Sequence, residues 1–261
     1  MGIVFNYCTK RIFPKTVLAV FLCMFCLNAS PQADKNIIIP KLPEMVFVAG
    51  GTFQMGSKTG GSDKQPVHTV RLDDFYIGKY EVTQAQWKAV MNDDGHLNFF
   101  EGYPDCPVER VSWLNAVRFI VKLNALTGEK FRLPTEAEWE FAARGGNHSR
   151  SFKYSGSDSA REVAWRSDNA EGMTHPFGLK KPNELGIFDM SGNVWEWCVD
   201  WYSESYYAIS PRRNPTGPIA GTERVIRGGS WFQDSSGLNV TDRKAVNPEW
   251  QLGFVGFRLC K

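Results

Sequence analysis

Asp189-Met190-Ser191-Gly192-Asn193-Val194-Trp195-Glu196-Trp197 is the stretch on which the reading of this chain turns. Gly192-Asn193 predicts a tight turn, since both residue types tolerate left-handed backbone. Residues 194–201 then read as a strand, whose alternation sets Trp195 and Trp197 on one face, packed into a core. Two carboxylates, Asp189 and Glu196, stand seven residues apart around a turn whose carbonyls can point inward. That is the oxygen-rich arrangement that hard Ca²⁺ requires. The alternative is a plain turn, with Glu196 paired to an arginine such as Arg227.

Upstream, residues 45–49 and 52–55 read as two short strands about a tight Gly50-Gly51 turn, followed by a polar surface loop over 58–65. Residues 68–72 and 75–77 are further strands. Thr83, with Gln86 three residues later, is a capping box that opens a helix. Ser112 opens a longer one, with Trp113, Ala116, Val117, Ile120, Leu123 and Leu126 at helical spacing and Gly128 as its stop. Pro134-Thr135 with Glu138 opens a third, which ends at Gly145-Gly146. Beyond it, 163–165, 186–190, 194–201, 225–231 and 253–259 are candidate short strands in a loop-rich half. No internal repeat or linker divides the chain, which predicts one mixed domain.

The 261 residues, 43% hydrophobic and 22% charged, exclude disorder and fibrous repeats. Residues 1–29 carry Lys10, Arg11 and Lys15 and no acid, so their removal leaves 27 basic against 28 acidic side chains. A near-neutral remainder argues against a nucleic-acid or anionic-membrane binder. The basic start, the apolar run at 16–27 and the small polar residues after it have the layout of a secretory signal peptide over 1–29. A lead-in at 30–44 and a domain at 45–260 follow. Secretion or a periplasmic location is expected over a lipid-anchored envelope protein, because Leu22 and Phe25 precede Cys23 and Cys26 where a lipidation signal has small residues. Cys106, Cys198 and Cys260 remain, allowing at most one internal disulfide in an oxidising compartment.

Seven phrases, in order, carry a resemblance: Gly50-Gly51-Thr52-Phe53-Gln54-Met55-Gly56; Tyr80-Glu81-Val82-Thr83; residues 107–113; Arg132-Leu133-Pro134-Thr135-Glu136-Ala137-Glu138-Trp139-Glu140; Gly192-Asn193-Val194-Trp195-Glu196-Trp197; Arg227-Gly228-Gly229-Ser230-Trp231; and Gly256-Phe257-Arg258. The chain resembles the formylglycine-generating enzyme, or sulfatase-modifying factor, family over about residues 45–259. The resemblance implies an α+β fold, a C-type lectin-like variant with much irregular structure in a single domain. It also implies calcium held by Asp189 and Glu196 side chains and by Gly192 and Val194 carbonyls, with a second site near Asp168 or Asn169. Ser230 matches the active-site serine, although a serine ending a Gly-Gly turn also reads as a backbone cap.

In the catalytic members two cysteines hold copper, three and eight residues after that serine. Here those positions are Gln233 and Leu238, and no cysteine lies between Ser230 and Leu259. Soft Cu(I) prefers thiolates, so copper is not expected. The histidine-rich iron site of the related sulfoxide synthases is not expected either, because His68, His96, His148 and His175 include no suitably spaced pair. The expectation is therefore a secreted binding protein for a protein or glycan partner, with Trp231 and Arg243 as candidate ligand contacts. The alternative is an oxidase that converts a sulfatase cysteine to formylglycine with divergent metal chemistry.

Overall fold

Double glycine at 50–51 decides how the amino-terminal strands pair. Strands β1 (Met45–Val48) and β2 (Gly51–Met55) do not form a hairpin with each other. Instead β2 pairs antiparallel with β3 (His68–Leu72), and β1 with β4 (Phe75–Gly78), giving two separate two-stranded sheets. A Cβ on Gly50 would lie 2.5 Å from the Leu72 carbonyl oxygen, so the glycine is there for a close backbone approach rather than for a hairpin. The computed structural model describes residues 42–92 and 95–261. The expected signal peptide, with Cys23 and Cys26, and most of the lead-in lie outside the described residues.

Three helices start where their caps predict. Thr83 and Gln86 form the capping box of α1 (Gln84–Met91), Ser112 caps α2 (Trp113–Thr127), and Thr135 with Glu138 caps α3 (Glu136–Ala143). Gly128 ends α2 in left-handed backbone. The face of α2 sits slightly rotated from its expected position: Phe119 is buried and Leu126 is exposed. Every residue of α3 is buried, including Glu136, Glu138 and Glu140. One core cluster packs Trp139 and Phe141 against the two small sheets, and another packs Phe119 and Leu123 against Trp195, Trp197 and Phe257.

The loop-rich half holds a short helix α4 (Ala160–Val163) and one four-stranded sheet. Its strands are β5 (Trp195–Trp201), β6 (Arg224–Arg227), β7 (Arg243–Val246) and β8 (Val255–Gly256), in the order β7-β6-β5-β8 with β8 parallel to β5. The strands expected at 163–165 and 186–190 are absent. Val163 ends α4, and over the second segment the Asn183 side-chain Oδ1 accepts from Leu185 and Ile187 N–H, so a side chain replaces a strand ladder. Strand β7 was not expected, because its inward position is the charged Arg243. The described residues form an α+β domain with few helices and small sheets.

Candidate functional site

The 189–194 turn is built as its residues require. Asp189 and Asn193 have φ of 58° and 57°, and Gly192 has φ of 89° with a phantom Cβ only 2.3 Å from the Trp165 carbonyl oxygen. Asn193 fastens the turn, donating to a Glu81 oxygen at 2.7 Å and accepting from His175 N–H. Trp195 and Trp197 are buried, as their alternation predicts. Glu196 sits opposite Arg227 in the sheet register, yet its ion pair is with Arg258. Arg258 presents Nε and Nη2 to the two Glu196 oxygens at 2.6 Å each, and Trp139 Nε1 adds a third bond at 2.7 Å. Arg227 turns instead to Glu140 and to the Asp242 carbonyl. The arginine partner is thus Arg258, because its planar fork meets a carboxylate two-on-two.

Three buried carboxylates, Glu81, Asp189 and Glu196, share that one guanidinium. Asp189 Oδ2 accepts from Gly178 N–H at 2.8 Å, and Oδ1 is buried with no protein partner. Burial pushes the Asp189 carboxyl up to about 6, against the help of the Gly178 bond. Burial, then Asp189 and Glu196, hold Glu81 well above the ordinary carboxylate range. Within the expected calcium set, the Glu196 oxygens accept three N–H donors, whereas Asp189 Oδ1 has no partner among the described residues. Among the described residues no three of His, Cys, Asp and Glu converge as a metal site. At the second expected ion position, Asp168 pairs with Arg166, and Asn169 bonds the Arg166 N–H and the Ala164 carbonyl.

Ser230 follows two glycines at φ of 102° and 79°. Its hydroxyl is buried without a partner, so it caps nothing; Gln233 Oε1 instead accepts the Ser230 N–H at 3.1 Å. Leu238 is fully buried, and a Cβ on Gly229 would meet its Cδ2 at 2.2 Å. Thus the positions where copper thiolates were sought are an amide that closes the loop and a methyl-bearing plug. Neither fits Cu(I). Cys106, Cys198 and Cys260 are free, buried thiols, which burial pushes upward in each case. Arg243, expected at a ligand, is itself buried: it forks onto both oxygens of Glu136 at 2.6 and 2.7 Å and bonds the Asp63 carbonyl.

Trp231 occupies a different setting. It is half-buried, its Nε1 bonds the Gly253 carbonyl, and it lies in a run of rings reaching the surface. Phe99 meets Phe100 at 4.9 Å, Phe100 meets Trp231 at 5.3 Å, Trp231 meets Phe232 at 5.6 Å, and Phe232 faces Phe254 at 6.4 Å. Phe99 and Phe232 are 61% and 67% exposed, which makes this an apolar patch rather than an extension of the core. Buried Glu109 holds it in place by accepting the N–H groups of Phe99 and Phe100 at 2.8 and 3.0 Å. A cleft of about 480 Å³ beside Phe232 is lined by Gln233, Gly237, Arg243 and Lys244. Arg258, Glu81 and Glu109 carry roles that no spacing rule reveals, although each stands inside one of the quoted phrases.

The chain matches the family model described as "Sulfatase-modifying factor enzyme 1-like domain" over residues 31–261. It is 37% identical to "Chaperone protein LppX" of Paenibacillus barcinonensis, over 81% of this chain and 89% of that protein. It is 32% identical to "Formylglycine-generating enzyme" of Streptomyces coelicolor, over 88% and 90% of the two chains. Among solved structures, "Treponema denticola variable protein 1" superposes with a TM-score of 0.73 at 32% identity, over 83% of this chain and 94% of that one. With its small sheets, sparse helices and C-type lectin-like architecture, the chain belongs to the sulfatase-modifying factor enzyme 1-like domain family.

Proposed function

We propose that this chain is a secreted or periplasmic, non-oxidase member of its family that binds a partner polypeptide through the Phe99–Phe100–Trp231–Phe232–Phe254 surface. The observation that carries the reading is the packing at the family's serine: Gln233 bonds the backbone and Leu238 fills the interior, leaving no soft ligand for copper. Next to this loop, two exposed rings stand on a rigid backbone, the kind of aromatic anchor that dominates protein recognition. The leader-like amino end supports secretion, and a lipid anchor at that end is the lesser alternative. No helix among the described residues is long and apolar enough to cross a membrane.

A relative named as a chaperone, at 37% identity, favours a protein partner over a glycan. The second reading, an oxidase acting on a sulfatase polypeptide, is favoured by the 32% identity to a protein named as a formylglycine-generating enzyme. One experiment separates the two: co-expression with a cysteine-type sulfatase, followed by mass spectrometry of its active-site peptide. The binding reading expects no formylglycine above background. Formylglycine above background would overturn it.

A further inference from the structure

On the far side of the Lys64–Asp242 ion pair from the cleft beside Phe232 lies a second, polar cavity of about 660 Å³. Its walls are the 56–60 loop, Arg144, residues 151–153 and residues 239–242. Such a volume lies within the range of small-ligand sites, about 300–1,000 Å³. The walls are hydroxyl and amide rather than apolar, with Ser57, Thr59, Ser151, Thr241 and Asn239 among them.

The loop is preorganised. Gly56 N–H donates to Glu140 Oε1 at 3.0 Å, Ser57 N–H donates to the Lys64 carbonyl at 3.0 Å, and Thr59 N–H donates to Ser57 Oγ at 3.1 Å. Gly56 has φ of 97°, and a Cβ there would strike the Lys64 carbonyl oxygen at 2.5 Å, so only glycine lets the loop close.

Charge on the walls is one-sided. Lys58, Lys64, Arg144 and Lys153 face a single acid, Asp242, which Lys64 neutralises. Arg144 is the outermost of three arginines, with Arg227 and Arg243, that share the two carboxylates of Glu136 and Glu140. Its Nε and Nη2 are held by Glu140 and the Gly56 carbonyl, which fixes the guanidinium plane and leaves Nη1 without a protein partner. Lys58 has no ion-pair partner among the described residues, and the Lys153 ammonium lies 5.0 Å from the Tyr154 ring centre. Asp158 lies near Lys153 but accepts its backbone N–H at 2.8 Å. The half-buried Phe152 completes the wall.

We propose that this cavity binds a phosphate or sulfate monoester carried on a sugar-sized, hydroxyl-rich body. Lys58, Lys153 and Arg144 Nη1 take the oxyanion, which a charged fork and ammonium groups bind far better than a neutral group. The hydroxyls and Asn239 take the ring hydroxyls, and the side of the Phe152 ring away from the Arg150 guanidinium, which lies 4.9 Å from the ring centre, takes the sugar's C–H face.

The test is calorimetric titration of the folded protein with a hexose phosphate, a hexose sulfate, inorganic phosphate, inorganic sulfate and the unmodified hexose. One ester is expected to bind at least about tenfold more tightly than its free anion and than the hexose, and the better of the two esters identifies the source chemistry. Lys58→Gln and Lys153→Gln are each expected to weaken that binding about tenfold. Their melting curves are expected to stay unchanged, since both lysines are exposed. Undiminished binding by both variants, equal binding of hexose or of the free anion, or no saturable binding by any of the five compounds would overturn the proposal.

Discussion

Two groups of three buried or nearly buried carboxylates, linked by the Trp139–Glu196 hydrogen bond, are balanced differently in this molecule. On α3, Glu136 is forked by Arg243, Glu138 by Arg132, and Glu140 lies between Arg144 and Arg227. Burial works to raise Glu140, but the two arginines prevail and hold it below its ordinary range. Around β5, Glu81, Asp189 and Glu196 share one guanidinium, Arg258, with Lys180 adding a weaker pull on Asp189, and the two that Arg258 does not fork are raised. The difference teaches that burying a carboxylate is tolerable when a guanidinium comes with it, and that leftover acids hold their protons to higher pH. The α3 group locks the helix to two distant strands, β6 through Arg227 and β7 through Arg243, whereas the β5 group holds a proton-sensitive residue at a turn.

Breaking the balanced group has the largest expected effect. Glu140→Gln leaves Arg144 and Arg227 without their shared anion, a change expected to cost about 3–5 kcal/mol, since stripping one partner from a buried pair strands the other charge. Urea unfolding measures it. A loss below about 1 kcal/mol would mean that Glu136 alone satisfies Arg227.

Arg258→Met breaks the other group at its centre and strands Glu196, with an expected loss of about 3 kcal/mol. This variant also sharpens the question of calcium. In wild type, a chelator is expected to leave the melting temperature unchanged, because Arg258 already occupies Glu196; in Arg258→Met, added calcium is expected to restore part of the loss by binding only the folded state. A chelator-dependent fall in wild type would show that the turn accommodates an ion beside the arginine.

Asp189→Asn is the gentlest change. The carboxyl is raised from 3.8 to about 6 on folding, so between those values the folded state binds more protons than the unfolded one. Stability from this group is therefore full at low pH and is lost as pH rises through about 6. With an amide that never ionises, the variant is expected to gain on the order of 1 kcal/mol over wild type at pH 8 and nothing at pH 4, and asparagine suits the left-handed backbone there. Equal gains at both pH values would locate the effect in the backbone rather than in the charge.

Much of this was legible in the residues. Caps and stops set the beginnings of α1, α2 and α3, because each depends on a side chain reaching a backbone group two or three residues away. The Gly192-Asn193 turn and the paired tryptophans of β5 are equally local. So is the absence of thiolate at Gln233 and Leu238 once the serine is aligned. Partnerships across the chain were decided by the tertiary structure alone: Arg258 rather than Arg227 for Glu196, Glu136 for Arg243, and β4 rather than β2 for β1. Each joins residues 27 to 107 positions apart or chooses between such pairings. Sequence spacing carries no information at that range, whereas the geometry of a guanidinium fork or a close backbone crossing admits one partner and excludes the rest.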